Sequence, residues 1–291
     1  MDGVRAVGIT SRTISKVEKL AETYAIEQVY ENIDSLIKKC TLDALMILVS
    51  ANQIYDVAVN LIPAGIPLFL EKPPGLLPEQ TKTLTGLANK HGTKNMVGFN
   101  RRYYSIFHKG LEIINQNGGL LGLAVEGHER FWKIAERDIP DEIRQNWIYC
   151  NSTHTIDLLR LFGGEVEQIN ALKNSLKEKN GDQFVASMKF VSGTIGTYTS
   201  HWFSPGGWTV TLYSDTIAVQ FKPLEKGIWI DTDFQQHDIM PDEVDIKYKQ
   251  GFYKQMEAFV NMVRTGMLET PAMDLAEALK TMELAKEFAH A

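Results

Sequence analysis

Short aliphatic runs alternate with amphipathic stretches through the first hundred residues, and this order restricts the fold more than any other feature. It is typical of parallel βαβ units, in which a helix returns the chain to the same edge of a sheet. The nearly continuous apolar run 42–49 predicts a central strand buried on both faces. The predicted strands are residues 4–9, 42–49, 66–70 and 95–99. The predicted helices are residues 15–24, capped by Ser15, 33–37, 55–64 and 78–91.

Beyond Asn100 the apolar residues alternate over longer runs, which predicts a different architecture. The predicted strands are 122–132, 166–172, 183–190, 193–202 and 208–221, and the predicted helices are 104–115, 153–162, 251–265 and 274–289. We therefore predict an α/β Rossmann-like parallel sheet in residues 1–100. An α+β domain with an open, mostly antiparallel sheet should follow in residues 101–291. Because an open sheet exposes apolar area, we expect a homodimer or homotetramer formed through this C-terminal sheet.

Composition narrows the class of protein. The chain has 291 residues, 44% of them hydrophobic, and a formal charge of -6 without a basic block, which argues against a nucleic-acid partner. No apolar run reaches the roughly 18 residues that span a bilayer, and the first residues lack the plan of a signal peptide, so a cytoplasmic location is expected. Cys40 and Cys150 are predicted to be reduced thiols, and no metal site is predicted.

Several short motifs, in order along the chain, resemble the Gfo/Idh/MocA family of oxidoreductases. They are Leu70-Glu71-Lys72-Pro73, Val97-Gly98-Phe99-Asn100-Arg101-Arg102, and His154-Thr155-Ile156-Asp157-Leu158 before Gly163-Gly164. The stretch 252–289 is similar as well, so the resemblance covers almost the whole chain. It implies an NAD(P)-dependent enzyme that transfers a hydride to or from a sugar, cyclitol or related polyol.

The resemblance assigns the catalytic roles to Lys72 and His154. Lys72 would stabilise negative charge on the reacting oxygen, Glu71 would orient the turn, and Pro73 would fix the backbone of the turn, with a cis Lys72-Pro73 bond. His154 would remove the hydroxyl proton. If Asn151 or Ser152 caps the helix 153–162, the positive helix end should keep the imidazole neutral with a pKa near neutrality. Asp157, one turn later, is expected to orient the ring or the cap.

Further residues are implied in binding. The cofactor would lie beside Ser11, Arg12, Ser50, Ala51, Asn52, Tyr55, Glu71, Lys72, Pro73 and Asn100. The substrate would contact Lys72, Arg101, Arg102, Tyr149, Cys150, Asn151 and His154. One arginine of the Arg101-Arg102 pair would meet a substrate carboxylate, phosphate or hydroxyl, and a surface ion pair is the alternative for either. His201, Trp202 and Trp208 either line a sugar site or pack in the core or a subunit interface.

Two departures from the family pattern bear on activity. Many relatives carry an aspartate four residues before the histidine, where this chain has Cys150, and Tyr149, Asn151 or Tyr103 could supply a polar group instead. The GxGxxG loop that holds the pyrophosphate does not occur. The resemblance therefore implies a unit of about 25 to 30 residues upstream of Met1. Either the sequence begins late or the protein lacks this loop.

The cofactor and the function keep alternatives open. Thr10-Ser11-Arg12 occupies the ribose-binding end of a strand without an acidic residue, which favours NADP over NAD. A catalytically silent binding or regulatory homologue is the second hypothesis. Hydrolysis or lyase chemistry assisted by bound NAD is the third.

Overall fold

The structure is a computed structural model. It describes residue 1 and residues 3–291, and the chain divides into two compact units, Met1–Leu45 and Met46–Ala291. The first unit contains β1 (Gly8–Thr10), α1 (Ile14–Tyr24), β2 (Gln28–Tyr30) and α2 (Ile33–Lys39). β1 and β2 are parallel, as a βαβ unit requires. The cap prediction was wrong, because Thr13 occupies the N-cap position without a side-chain hydrogen bond and Ser15 lies inside α1.

A three-stranded sheet begins at Leu45, the last residue of the first unit, and otherwise belongs to the second unit. Its strands are β3 (Leu45–Ile47), β4 (Leu68–Glu71) and β5 (Asn95–Gly98), in the order β3-β4-β5, and its helices are α3 (Ala51–Leu61) and α4 (Pro78–His91). The prediction that β3 is central was wrong, because it lies at an edge of this sheet. Met46 and Leu48 are 46% and 59% exposed. An apolar run reports hydrophobicity, whereas the place of a strand in a sheet depends on which other strands pair with it.

An eight-stranded sheet forms most of the remaining structure. Its order is β13-β12-β11-β10-β6-β9-β8-β7, and β6 and β9 pair in parallel while the other neighbours are antiparallel. The strands are β6 (Gly122–Gly127), β7 (Val166–Asn174), β8 (Gln183–Phe190), β9 (Ile195–His201), β10 (Trp208–Tyr213), β11 (Ala218–Phe221), β12 (Gly227–Ile230) and β13 (Gln236–Ile239). The predicted open, mostly antiparallel sheet is confirmed. The single predicted strand 208–221 is two strands, and β12 and β13 were not predicted.

Helices cover one face of this sheet. The helices against its strands are α5 (Ser105–Gln116), α8 (Thr153–Gly163) and α11 (Leu275–His290). The other helices of this region are α6 (Phe131–Ile134), α7 (Asp141–Gln145), α9 (Glu243–Lys247) and α10 (Phe252–Thr265). In the core, the Phe107 ring lies 4.7 Å from that of Phe221 and 5.3 Å from that of Phe162. The opposite face exposes Leu172 and Val185. No helix in the described part of the chain has both the length and the apolar character needed to cross a bilayer.

Candidate functional site

Lys72 lies at the carboxyl end of β4, immediately after the fully buried residue Leu70 and the half-buried Glu71. The Lys72-Pro73 peptide bond is cis, as expected. The Glu71 carboxylate accepts a hydrogen bond from the Lys72 backbone N–H at 3.2 Å. The Lys72 ammonium donates to the Cys150 carbonyl oxygen at 2.5 Å. This hydrogen bond joins two residues that are 78 positions apart in the chain, at one edge of the sheet.

The charge of Lys72 is poorly solvated. Burial lowers the pKa of Lys72 to about 8, and Arg101 acts in the same direction. Cys150, Glu71 and Glu129 oppose this shift. At neutral pH the side chain is an ammonium that gives up its proton more readily than a surface lysine, so it can donate a hydrogen bond to an oxygen that gains negative charge.

His154 is neutral for a different reason from the one expected. A π-helical turn, Ile148–Ser152, runs directly into α8, so neither Asn151 nor Ser152 caps a free helix end. The pKa of His154 lies well below its usual value because of burial, followed by the charges of Arg101 and Lys72. The predicted capping was therefore wrong, and the pKa is not near neutrality.

Arg101 and Trp208 adjoin this histidine. The Arg101 guanidinium carbon lies 4.5 Å from the centre of the Trp208 ring, and the His154 ring centre lies 5.8 Å from that of Trp208. Arg101 Nε and His154 Nδ1 are both buried without a hydrogen-bond partner among the described residues. Buried polar nitrogens normally have partners, so this pair is suited to bind oxygen atoms of a ligand.

Arg102 makes different contacts from its neighbour. Its Nε and Nη2 donate to the two Asp157 carboxylate oxygens at 2.7 and 2.8 Å, and Nη1 approaches the Pro271 carbonyl at 3.4 Å. Asp157 also accepts a hydrogen bond from Thr281. The ion-pair alternative therefore describes Arg102, although the pair is buried and not on the surface. The expectation that Asp157 orients His154 or a cap was wrong, because its oxygens bind Arg102 and Thr281.

The three residues preceding Ser152 contribute in different ways. Cys150 offers its backbone carbonyl to Lys72, while burial raises the pKa of its thiol to about 12 and so keeps the thiol neutral. Asn151 donates from its side-chain amide to both oxygens of Glu129, at 3.0 and 2.8 Å. Tyr149 is buried in the main hydrophobic core.

Glu129 is the residue that the sequence reasoning missed. It follows β6 and is only 4% exposed. It accepts hydrogen bonds from Asn151 and, at 3.0 Å, from the Ser152 hydroxyl. A signal was present, because the inward-facing residues of β6, Leu123 and Val125, have the same parity as Glu129. A carboxylate in register with core positions indicates a paired or functional group.

The residues expected at the cofactor lie in both units. In the second unit, Ser50 is the N-cap of α3, and its hydroxyl donates to the Asn52 side chain at 2.9 Å, while Ala51 and Tyr55 lie in the first turns. Asn100 is buried and donates to the Gln250 carbonyl at 3.3 Å. In the first unit, Ser11 and Arg12 are exposed directly after β1.

Comparison with known proteins gives consistent results. Residues 1–99 match the profile described as an oxidoreductase family with an NAD-binding Rossmann fold. Residues 126–220 match the profile of a GFO/IDH/MocA C-terminal domain.

Similar individual proteins are more distant in sequence. The scyllo-inositol 2-dehydrogenase (NAD(+)) of Bacillus subtilis is 24% identical over 307 aligned residues, which cover 97% of this chain and 84% of that protein. The myo-inositol 2-dehydrogenase of Thermotoga maritima is 26% identical, over 62% of this chain and 56% of that protein. The solved structure of levoglucosan dehydrogenase with NADH superposes with a TM-score of 0.82 at 14% identity, covering 98% and 87% of the two chains. The fold, the order of the motifs and the two profile matches agree, and the chain belongs to the Gfo/Idh/MocA family of oxidoreductases.

Proposed function

We propose that this protein is an NAD(P)-dependent dehydrogenase or reductase that acts on a carbinol carbon of a sugar, cyclitol or related polyol. The observation that carries the proposal is the half-buried Lys72 ammonium at the carboxyl end of β4, held by the Cys150 carbonyl. Ligands of open α/β sheets bind at that edge. The inositol dehydrogenases among its relatives support a polyol as the substrate.

The residues around Lys72 fit a substrate hydroxyl beside a nicotinamide. Arg101 Nε and His154 Nδ1 are buried nitrogens without partners, and each needs an oxygen or nitrogen that the protein itself does not provide. The half-buried ring of Trp208 adjoins His154 at a centre distance of 5.8 Å. Aromatic faces of this kind pack against the apolar face of a sugar ring.

The chemical roles follow from the charges. When bound, a nicotinamide accepts or supplies the hydride. Lys72 donates a hydrogen bond to the substrate oxygen and stabilises the negative charge that this oxygen gains as its proton leaves. His154, which is neutral, is the proposed acceptor of that proton. Burial, followed by the charges of Arg101 and Lys72, lowers the pKa of His154 and disfavours a charged imidazole, so the proton would pass onward to solvent or another group.

Three finer assignments accompany this proposal. Residues 1–100 would form the nucleotide-binding domain, and residues 101–291 the substrate and oligomerisation domain. NADP is favoured over NAD, because the exposed Ser11 and Arg12 suit a 2′-phosphate and no acidic residue follows β1 directly. The exposed apolar face of the eight-stranded sheet, which includes Leu172 and Val185, supports a homodimer or homotetramer.

A titration combined with a turnover screen tests the proposal. Nicotinamide fluorescence is followed as NADPH and NADH are added, and reduced nicotinamide is then measured with a panel of cyclitols, aldoses and sugar acids. We expect saturable binding, tighter for NADPH, and turnover with at least one polyol. Binding of neither cofactor would refute the oxidoreductase assignment. Binding without turnover across the panel would favour the silent regulatory homologue instead.

A further inference from the structure

Glu129 is a buried carboxylate at the site, and the proposed mechanism does not use it. Its oxygens accept hydrogen bonds from the Asn151 amide and the Ser152 hydroxyl at 2.8 to 3.0 Å. These two donors directly follow Cys150, whose carbonyl oxygen accepts the hydrogen bond from Lys72. The turn Ile148–Ser152 has no carboxylate of its own, and Glu129 presents one to it from the residues that follow β6.

The contacts of Glu129 lead to Lys72 in two steps. Glu129 fixes the side chains of Asn151 and Ser152, and the carbonyl of the preceding Cys150 receives the Lys72 ammonium at 2.5 Å. Lys72 and Glu129 also affect each other electrostatically across this turn. A buried carboxylate with three hydrogen bonds from one turn restricts the conformation of that turn.

We infer that Glu129 acts as a positioning residue: its hydrogen bonds to Asn151 and Ser152 fix the turn that holds the Cys150 carbonyl against Lys72, and its negative charge lies near the lysine ammonium. This inference rests on the proposed role of Lys72. Glu129 contacts Asn151 and Ser152, and in the proposed mechanism it does not contact the reacting atoms.

The charged groups around Lys72 and Glu129 determine how the loss of Glu129 would change the pKa of Lys72. Burial lowers the pKa of Lys72 to about 8, Arg101 lowers it further, and the charges of Glu71 and Glu129 raise it. His154 also faces Lys72, but the imidazole is neutral. Removing the negative charge of Glu129 therefore lowers the pKa of Lys72 and increases the neutral fraction of this lysine near pH 7.

Glu129 itself titrates close to neutrality. Burial raises the pKa of Glu129 to about 7, against the hydrogen bonds from Ser152 and Asn151 and the charge of Lys72. Of the other groups affected by Glu129, Arg101 carries a charge and Tyr198 is a neutral phenol. The support that Glu129 gives to Lys72 should consequently weaken as pH falls below 7 and the carboxylate becomes protonated.

Amine labelling of the full chain measures the protonation of Lys72 without requiring turnover. The labelling rate at residue 72 is followed by peptide mass spectrometry across pH 6 to 10 with an amine-reactive acetylating reagent. The midpoint of the rate profile reports the pKa of Lys72, and the plateau at high pH reports access of the reagent. We expect a midpoint near 8 for the wild type, a lower midpoint for Glu129→Gln, and a return toward the wild type for Glu129→Asp.

Two further variants make the result specific. Glu126→Gln removes a carboxylate on β6 that accepts a hydrogen bond from Thr209 and, among the described residues, none from the turn Ile148–Ser152. It should leave the Lys72 midpoint unchanged. Asn151→Leu removes a hydrogen-bond donor to the Glu129 carboxylate. Because this loss favours the protonated form of Glu129, the Lys72 midpoint in this variant should fall, as in Glu129→Gln. This variant supplies the test if Glu129→Gln does not fold.

The outcomes separate the inference from the proposed function. Unchanged midpoints in folded Glu129→Gln or Asn151→Leu protein overturn the role of Glu129, even if the enzyme turns over a polyol. Shifted midpoints without turnover by any variant or the wild type support the role of Glu129 and count against the oxidoreductase assignment. With turnover, the high-pH limb of the kcat profile should shift to lower pH in Glu129→Gln.

Discussion

The buried ion pair between Arg102 and Asp157 permits a quantitative test of what the second arginine of the motif does. Arg102 Nε lies 2.7 Å from Asp157 Oδ2, and the two side chains are only 12% and 1% exposed. Arg102→Met would leave the carboxylate buried with Thr281 as its remaining side-chain partner. Removing one partner of a buried pair costs about 3–5 kcal/mol of unfolding free energy, whereas replacing both partners with apolar residues can be nearly neutral.

The assay is equilibrium unfolding in urea, followed by circular dichroism. We expect Arg102→Met to lose about 3–5 kcal/mol, and the double variant Arg102→Met/Asp157→Leu to recover much of this loss. Arg144→Met is the control, because its ion pair with Asp141 is exposed and should contribute at most about 1 kcal/mol. If Arg102→Met is as stable as Arg144→Met but binds substrate more weakly, the structural assignment is wrong and Arg102 belongs to the substrate site.

Three further predictions concern the core, the sheet and the buried acid. Because the pKa of Glu129 is raised to about 7 in the folded state, the folded protein holds that proton to higher pH than the unfolded chain, and stability decreases as pH rises from about 5 to 7. The unfolding free energy of Glu129→Gln should therefore rise by roughly 3 kcal/mol relative to that of the wild type as pH increases from 5 to 8. A difference in unfolding free energy that does not change with pH would contradict this. Phe107→Ala should lose about 3–5 kcal/mol in urea unfolding, because its ring packs between Phe162 and Phe221, and a loss below about 1 kcal/mol would refute the packing argument. Val185→Lys should convert the proposed oligomer to a monomer in light scattering, and an unchanged mass would exclude this face as the interface.

Where local sequence signals are strong, the first and last residues of an element could be predicted. The helix Pro78–His91 has proline in its first turn and Gly92 in the left-handed conformation after its last residue, and both signals are readable in the sequence. The strand Gln183–Phe190 alternates without interruption and also has the predicted bounds. The errors arose where tertiary neighbours decide, as for Leu45–Ile47, whose position at a sheet edge depends on strands far away in sequence.

The candidate site was predictable only in part, for a similar reason. The motif drew attention to Lys72 and His154, but the partner of Lys72 is a backbone carbonyl, which every residue possesses and no sequence pattern marks. Arg101 and Arg102 have the same side-chain chemistry. They lie in one 3-10 turn but make different contacts, since Arg101 stacks on Trp208 and Arg102 binds Asp157. The side chain of Cys150 drew attention as a missing carboxylate, whereas the buried carboxylate of Glu129 lies 21 residues earlier, where only strand parity indicates it.

The most direct test of the central claim is the turnover number of Lys72→Met at saturating cofactor and polyol. Lys82→Met is the matched control, because Lys82 is an exposed lysine on α4 and lies outside the site. Loss of an oxyanion-stabilising donor lowers turnover by a factor of roughly 10² to 10³. We predict a loss of this size in Lys72→Met with cofactor affinity retained, and wild-type turnover in Lys82→Met. Equal turnover in the two variants would contradict the assignment of Lys72 as the group that stabilises the reacting oxygen.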